Sequence, residues 1–314
     1  MPKNSNKTFA QAKEDFFHEK RGEGLSKSTE QTYRQHLAYF FSCLGECDMI
    51  AVKDFSKEDY TFFLNFIKGD PKKNERTRQS YCRSIKAFLN WLMDNGYIEN
   101  SFKIAVPKAQ KNIKPTYTEE ELKALLKDPR ECSYSTYQTW VFINFVICTG
   151  LRLSSILSIQ RKDYSSAEQT IIINNTKNNL PQMRRLNASM CNILNEYISI
   201  FELNELDFLF CTAGGKQMSR RAMEDNVTRY NKACGVEKTS IHLFRHTFAR
   251  KFLEGGGSVV DLQRLLDHSD INTTMGYVRD YAINADKTME VFNPQEQYGN
   301  TKKTKQLNRK RKMQ

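Results

Sequence analysis

The stretch KIAVPKAQKNIKP, Lys103 to Pro115, most limits how this chain can fold. It holds four lysines, two prolines and no acid. Proline interrupts backbone hydrogen bonding and the charge opposes burial, so the stretch reads as an extended linker between two bodies. A chain of 314 residues is long enough for two domains. The linker is also positive enough to lie along a phosphate backbone.

The first body reads as short amphipathic helices. Ser28 and Gln31 form a capping-box pattern ahead of Tyr33, Leu37, Phe40, Phe41 and Leu44, which share a helical face. Ser56 can cap a second helix carrying Tyr60, Phe63, Leu64 and Ile67, broken at Asp70-Pro71. A third carries Tyr81, Ile85, Phe88, Leu89 and Leu92 and ends at Asn95-Gly96. Seven basic residues lie between Lys68 and Lys86 against Asp70 and Glu75. Lys72, Lys73, Arg76, Arg83 and Lys86, with Lys108 and Lys111 of the linker, are the candidate contacts to a phosphate backbone.

Beyond the linker the pattern restarts with a capping box, Thr118 and Glu121. WVFINFVICTGL, Trp140 to Leu151, is apolar nearly throughout and suits a buried helix turned at Thr149-Gly150. TIIIN, Thr170 to Asn174, reads as a strand, NNTKNNLP as a turn and QMRRLN as a return strand, which puts Lys177 at or near a hairpin tip. Helices follow over 189–201, 218–234 and 241–254, and Ser258 with Asp261 caps another. The fold class expected is mainly α: a small N-terminal helical bundle, then a mostly helical domain with a small antiparallel sheet or hairpin. The divisions are 1–102 for the first domain, 103–117 for the linker, 118–296 for the second domain and 297–314 for a basic, disordered tail.

The formal net charge of +12 favours an anionic partner. Residues 301–314 carry seven of those charges and no acid, so the remainder is only mildly basic, 12 − 7 = +5. No apolar run reaches the roughly 20 residues that span a bilayer, and the N-terminus lacks a signal-peptide core. Nucleic acid is therefore expected rather than membrane. Eight cysteines without a C-x-x-C pair suit reduced packing residues of a cytoplasmic protein. His36, Cys43 and Cys47 are too irregular for a zinc site, and no metal or cofactor is expected.

Chemistry concentrates in three segments. In TGLRLSSIL, Arg152 lies between two apolar runs, where a partly buried guanidinium calls for a carboxylate or a phosphate. In SIHLFRHTFARKF, His242 and Arg245 are three apart on one helical face, with His246 one step round. In LLDHSDINTTMGYV, helical spacing stops at Leu266, and a polar run from Asp267 to Gly276 reads as chain laid out to present Tyr277. Arginines that bind non-bridging oxygens, a phenol of reference pKa about 10 and a lysine or histidine proton donor suit phosphoryl transfer from a phosphodiester to tyrosine. Fixed cations would do the work of a metal.

These segments resemble the tyrosine recombinases, or phage integrase family. HLFRHTFA followed by LLDHSDINTTMGY resembles the C-terminal signature, TGLRLSSIL the first arginine box, and TKNNLPQMRRL the hairpin with the catalytic lysine. The likeness runs from about Thr118 to Phe292, and the N-terminal helices look more loosely like the SAM-like core-binding domain. The resemblance implies a Xer-like site-specific recombinase that cleaves and rejoins DNA through a 3′-phosphotyrosyl link, without metal or nucleotide. It implies that Arg152 and Arg245 hold the scissile phosphate, Lys177 is the general acid, His242 helps move the tyrosine proton, His268 hydrogen-bonds the phosphate and Tyr277 attacks. It implies double-stranded DNA with paired short inverted sites as partner and a homotetramer in synapsis. Tyr281, Ile283, Met289, Val291 and Phe292 read either as a last helix closing the chain's own core or, as the resemblance implies, as a helix docked on a neighbouring protomer.

Two positions depart from the family pattern. Ser155 stands where the first box usually has an acid. Asp267 stands where glycine is favoured before the histidine, and its carboxylate is expected to point outward. Those departures keep open a catalytically weakened DNA-binding homologue, and the shared chemistry a type IB topoisomerase-like enzyme.

Overall fold

Hydroxyl and amide caps start most helices of this chain, and apolar faces decide how they pack. The computed structural model describes residues 7–45, 51–110, 113–129, 131–174 and 181–281 and separates into two compact units, Met1–Asn112 and Ile113–Gln314. The division falls inside the basic stretch, whose described residues form no helix or strand.

Among its described residues the first unit has four α-helices: α1 (Phe9–Gly22), α2 (Lys27–Leu44), α3 (Lys57–Gly69) and α4 (Glu75–Asp94). Its core is strongly aromatic. Phe9, Phe16, Phe17, Phe40, Phe63 and Phe88 are fully buried, and Phe9 meets Phe40 and Phe55 edge-on. Burying each such ring stabilises the unit by about 1.5–3 kcal/mol before entropy is counted. Two boundaries differ from expectation. α2 is capped by Ser26, whose side chain accepts from the Thr29 amide, so Ser28 lies inside the helix. α1, capped by Thr8 and Gln11, is a helix that the spacing does not predict. The Ser56 cap and the helix end before Asp70 are as expected. The first half of the basic stretch lies on this unit: Ile104 is buried and the Ala105 carbonyl accepts from the Tyr60 hydroxyl at 2.6 Å.

The second unit is built around α6 (Tyr134–Thr149), buried on most sides because its residues are apolar nearly all round. α5 (Glu119–Leu126), α8 (Ala188–Ile200), α9 (Arg220–Ala233) and α10 (Ile241–Glu254) pack against it. Thr118 and Glu121 cap α5 reciprocally, as their spacing predicts. Gly150 ends α6 with φ 64°, and a Cβ there would lie 2.3 Å from the Phe248 ring, so both turn and packing require glycine. The short α7 (Leu153–Leu157) follows at once, with Arg152 at its start.

Three strands, β1 (Tyr164–Ser165), β2 (Thr170–Ile173) and β3 (Gln182–Arg185), form an antiparallel sheet in that order. β2 and β3 are the expected pair; β1 is additional. Ile173 pairs with Gln182 and Ile171 with Arg184, so the face that buries both isoleucines also turns Gln182 and Arg184 inward. α11 (Val259–Leu265), capped by Ser258 as expected, and α12 (Ile271–Asp280) complete the unit. α12 overturns one expectation: the polar run is not extended chain presenting Tyr277. Most of it is helix, and Tyr277 is 2% exposed among Ala249, Leu253, Leu262 and Leu266.

Candidate active site

Three adjoining segments build a cationic cluster. Arg152 is aimed by the Gly150 turn, Arg245 sits on the first turns of α10, and the connection from α11 to α12 brings in Leu266, Asp267 and His268. Arg245 is 6% exposed. It donates from Nη1 to the Gly150 carbonyl at 2.9 Å and from Nη2 to the Leu266 carbonyl, so one guanidinium joins the end of α6 to the end of α11. Burial, then the charge of Arg152, pushes Arg245 down to about 10, still protonated at neutral pH.

Two histidines are held neutral by their surroundings. Burial, then Arg245 and Arg152, pushes His268 down to about 4. Its Nε2 lies 3.1 Å from Nη2 of Arg245. An arginine can only donate, so Nε2 accepts and Nδ1 carries the proton toward Oγ1 of Thr274, 2.8 Å away. His246 is likewise pushed down to about 4 by burial, with Lys114 the next cause. Its Nδ1 shares a 2.9 Å hydrogen bond with the Tyr277 hydroxyl.

Tyr277 is enclosed. Its ring lies parallel to that of His268 at 6.3 Å, and the Lys114 ammonium sits 4.2 Å from its centroid. Tyr281 stacks beside it and anchors itself by donating to the Lys114 carbonyl. Burial raises the Tyr277 pKa, and the guanidiniums of Arg245 and Arg152 oppose the rise.

The structure thus gathers Arg152, Arg245, His268 and Tyr277. His242 is solvent-exposed beside a neighbouring cleft with Leu153, Arg220 and Glu224, and partial desolvation followed by the charge of Arg220 lowers its pKa. The histidine bonded to the phenol is His246, which the sequence reading places beside Arg245 but gives no role. The available signal is an ionisable residue next to Arg245 on a helix with a buried face. Lys177 lies outside the described residues, as do Ile283, Met289, Val291 and Phe292.

Asp267 corrects a second expectation. Its carboxylate turns in, not out: Arg152 donates from Nη1 to Oδ2 at 3.0 Å and from Nη2 to the Asp267 carbonyl at 2.7 Å. Arg152 sits at the helix start and its guanidinium attracts the nearest carboxylate, which overrides an outward rotamer. Ser155 is buried one turn into α7.

On the first unit, Arg76 and Arg83 are exposed on α4, and Lys86 lies half-buried along the same face; Lys72 and Lys108 are exposed. Lys73 is engaged internally, paired with Asp70 and 3.8 Å from the Tyr39 ring centroid. Lys111 lies outside the described residues. His36 is buried, with Nδ1 2.8 Å from the Ser84 hydroxyl. Among the described residues no three His, Cys, Asp or Glu side chains group as a metal site, and no helix is long and apolar enough to cross a membrane.

The profile of the phage integrase family matches residues 115–283, more than half of the chain. A tyrosine recombinase XerD of Oceanobacillus iheyensis is 28% identical over 275 residues, covering 84% of this chain and 92% of that protein. A tyrosine recombinase XerC of Staphylococcus aureus is 25% identical over 261 residues, covering 81% and 86%. The fold also matches the Tn1549 transposon integrase in complex with transposon right end DNA, with TM-score 0.72 and 18% identity over 90% of this chain and 98% of that one. It matches a lambda integrase tetramer bound to a Holliday junction with TM-score 0.71 and 14% identity, over 90% and 80%.

Proposed function

Because the chain belongs to the phage integrase family, we propose that it is a site-specific DNA recombinase whose Tyr277 attacks a backbone phosphodiester. The observation that carries this reading is the convergence of Arg152, Arg245 and His268 on the loop whose following helix holds Tyr277. The relatives' names, tyrosine recombinase XerD and XerC, support the same reaction class.

In the reaction, the Tyr277 oxygen forms a bond to phosphorus and the P–O bond to the 5′ oxygen breaks. The products are a 3′-phosphotyrosyl link and a 5′-hydroxyl. Arg152 and Arg245 neutralise the non-bridging oxygens as charge builds on them. The phenol proton leaves through a histidine: His246 is in contact and neutral, and His242 stands on the same helix. Lys177 protonates the departing 5′ oxygen. Attack by another strand's 5′-hydroxyl reverses these steps, so the bond energy is conserved and neither metal nor nucleotide is needed. Tyr277 is buried, so the attack requires that DNA binding open a path to the phenol. The partners proposed are double-stranded DNA with paired inverted sites and further copies of this chain in a tetramer, as the DNA-bound lambda integrase tetramer suggests.

The test uses a duplex selected from random sequence by binding to the full chain, then nicked near the cleavage point so that religation fails. Wild type should accumulate a covalent protein–DNA adduct. Tyr277→Phe should form none while binding the same duplex with unchanged affinity. The Asp267 carboxylate on Arg152 favours a second reading, a site-specific binder with weakened catalysis. That reading requires tight binding by wild type with no adduct.

A further inference from the structure

Asp267 occupies left-handed backbone, φ 49°, which glycine enters freely and aspartate tolerates. From that position both its carbonyl and its carboxylate meet Arg152. The second carboxylate oxygen, Oδ1, accepts from Nε2 of Gln182 at 2.9 Å. Two residues along β3, on the same inward face, Arg184 donates to the Arg264 and Leu265 carbonyls at 2.9 and 2.7 Å. The sheet therefore grips the end of α11 and backs the carboxylate that grips Arg152.

We propose that Asp267 is a positioning residue that fixes the Arg152 guanidinium for phosphate binding, with Gln182 as its support from β3. This rests on the role given to Arg152 above. Two guanidiniums that will share one phosphate repel each other before it arrives, and Arg152 already depresses Arg245 while Asp267 opposes that effect. A carboxylate at this point supplies the counter-charge that lets both cations wait side by side. The carboxylate takes one N–H from Nη1 of Arg152 and the Asp267 carbonyl takes one from Nη2, and a guanidinium has five, so donors remain for the phosphate. An arginine held in one orientation also gives up less side-chain freedom when DNA binds.

The experiment compares wild type, Asp267→Gly, Asp267→Asn and Gln182→Ala on the nicked duplex at saturating protein, measuring adduct formation rate and Kd separately. Glycine suits the backbone at this site, so Asp267→Gly folds without strain. Its rate should fall about 10- to 100-fold, as misaligned catalytic groups do, with Kd within about twofold of wild type. Asp267→Asn, which still accepts from Arg152, should retain part of the rate, and Gln182→Ala should lose less than Asp267→Gly. Cleavage by Asp267→Gly as fast as wild type or faster, or tighter DNA binding by it, would overturn the proposal and make the carboxylate a competitor of the phosphate. A second readout needs no cleavage. In thermal unfolding of Asp267→Gly, Arg152→Gln and the double variant, a double variant no less stable than the worse single supports the pairing, and additive losses overturn it. Absence of adduct from wild type would count against the phosphotyrosyl reading, while this thermal cycle would still decide the pairing.

Discussion

The two units bury different kinds of side chain. The first fills its interior with phenylalanine rings and keeps Arg76 and Arg83 in solvent, with His36 and Ser84 as a buried polar pair. The second also has an apolar core, but beside it encloses Arg245, half-encloses His246 and His268, and buries the phenol of Tyr277. An apolar core holds a fold together; enclosed cations cost stability unless a partner recovers it. On the proposed reading, the exposed cations of the first unit would hold the DNA and the enclosed groups of the second would carry the chemistry.

The largest expected effect is on the chemistry. Arg245→Lys keeps a positive charge but not the planar fork that reaches both Gly150 and Leu266. Single-turnover cleavage should fall by about 100- to 1,000-fold, the loss typical of removing one charge-stabilising donor. A smaller loss than for Arg83→Ala would break the division of labour. Next comes stability. Phe88→Ala should destabilise the first unit by about 3–5 kcal/mol in calorimetry, and leave the melting of an isolated second unit, residues 113–314, untouched because that chain lacks the residue.

The pH response sharpens the comparison. His246 and His268 have folded pKa values of about 4, below the unfolded value of about 6.5. The unfolded chain then binds more protons between those limits, so stability is present above about pH 6.5 and is lost as pH falls toward 4. The second unit should melt progressively lower over that window, and His246→Gln with His268→Gln should flatten the slope. The smallest effects concern adhesion. Arg76→Ala with Arg83→Ala should weaken DNA binding and reduce its salt slope by about one for each phosphate that is no longer neutralised. Lys73→Ala should change the slope less, since that ammonium is already paired with Asp70.

Much of this contrast is legible in the sequence, in uneven ways. α10 starts and ends where the apolar spacing and the glycine run place it, and Thr118 with Glu121 marks α5. Local chemistry decides those boundaries. α2 is less legible because Ser26 and Ser28 both offer a cap; the earlier one wins, since each added residue contributes another helical hydrogen bond. α12 hides because only Thr274 and Tyr277 along it are buried, too few to display a period. Packing against Leu262 and Leu266 makes that helix, and such contacts cannot be read from spacing. The inward turn of Asp267 and the contact of His246 with Tyr277 likewise depend on residues 115 and 31 positions away.

The most direct test of the central claim is to digest the wild-type adduct on the nicked duplex and identify the modified peptide by mass spectrometry. The account predicts a nucleotide joined through its 3′ phosphate to Tyr277, with a free 5′-hydroxyl on the released strand. A nucleotide attached to another residue, or joined through a 5′ phosphate, would contradict it.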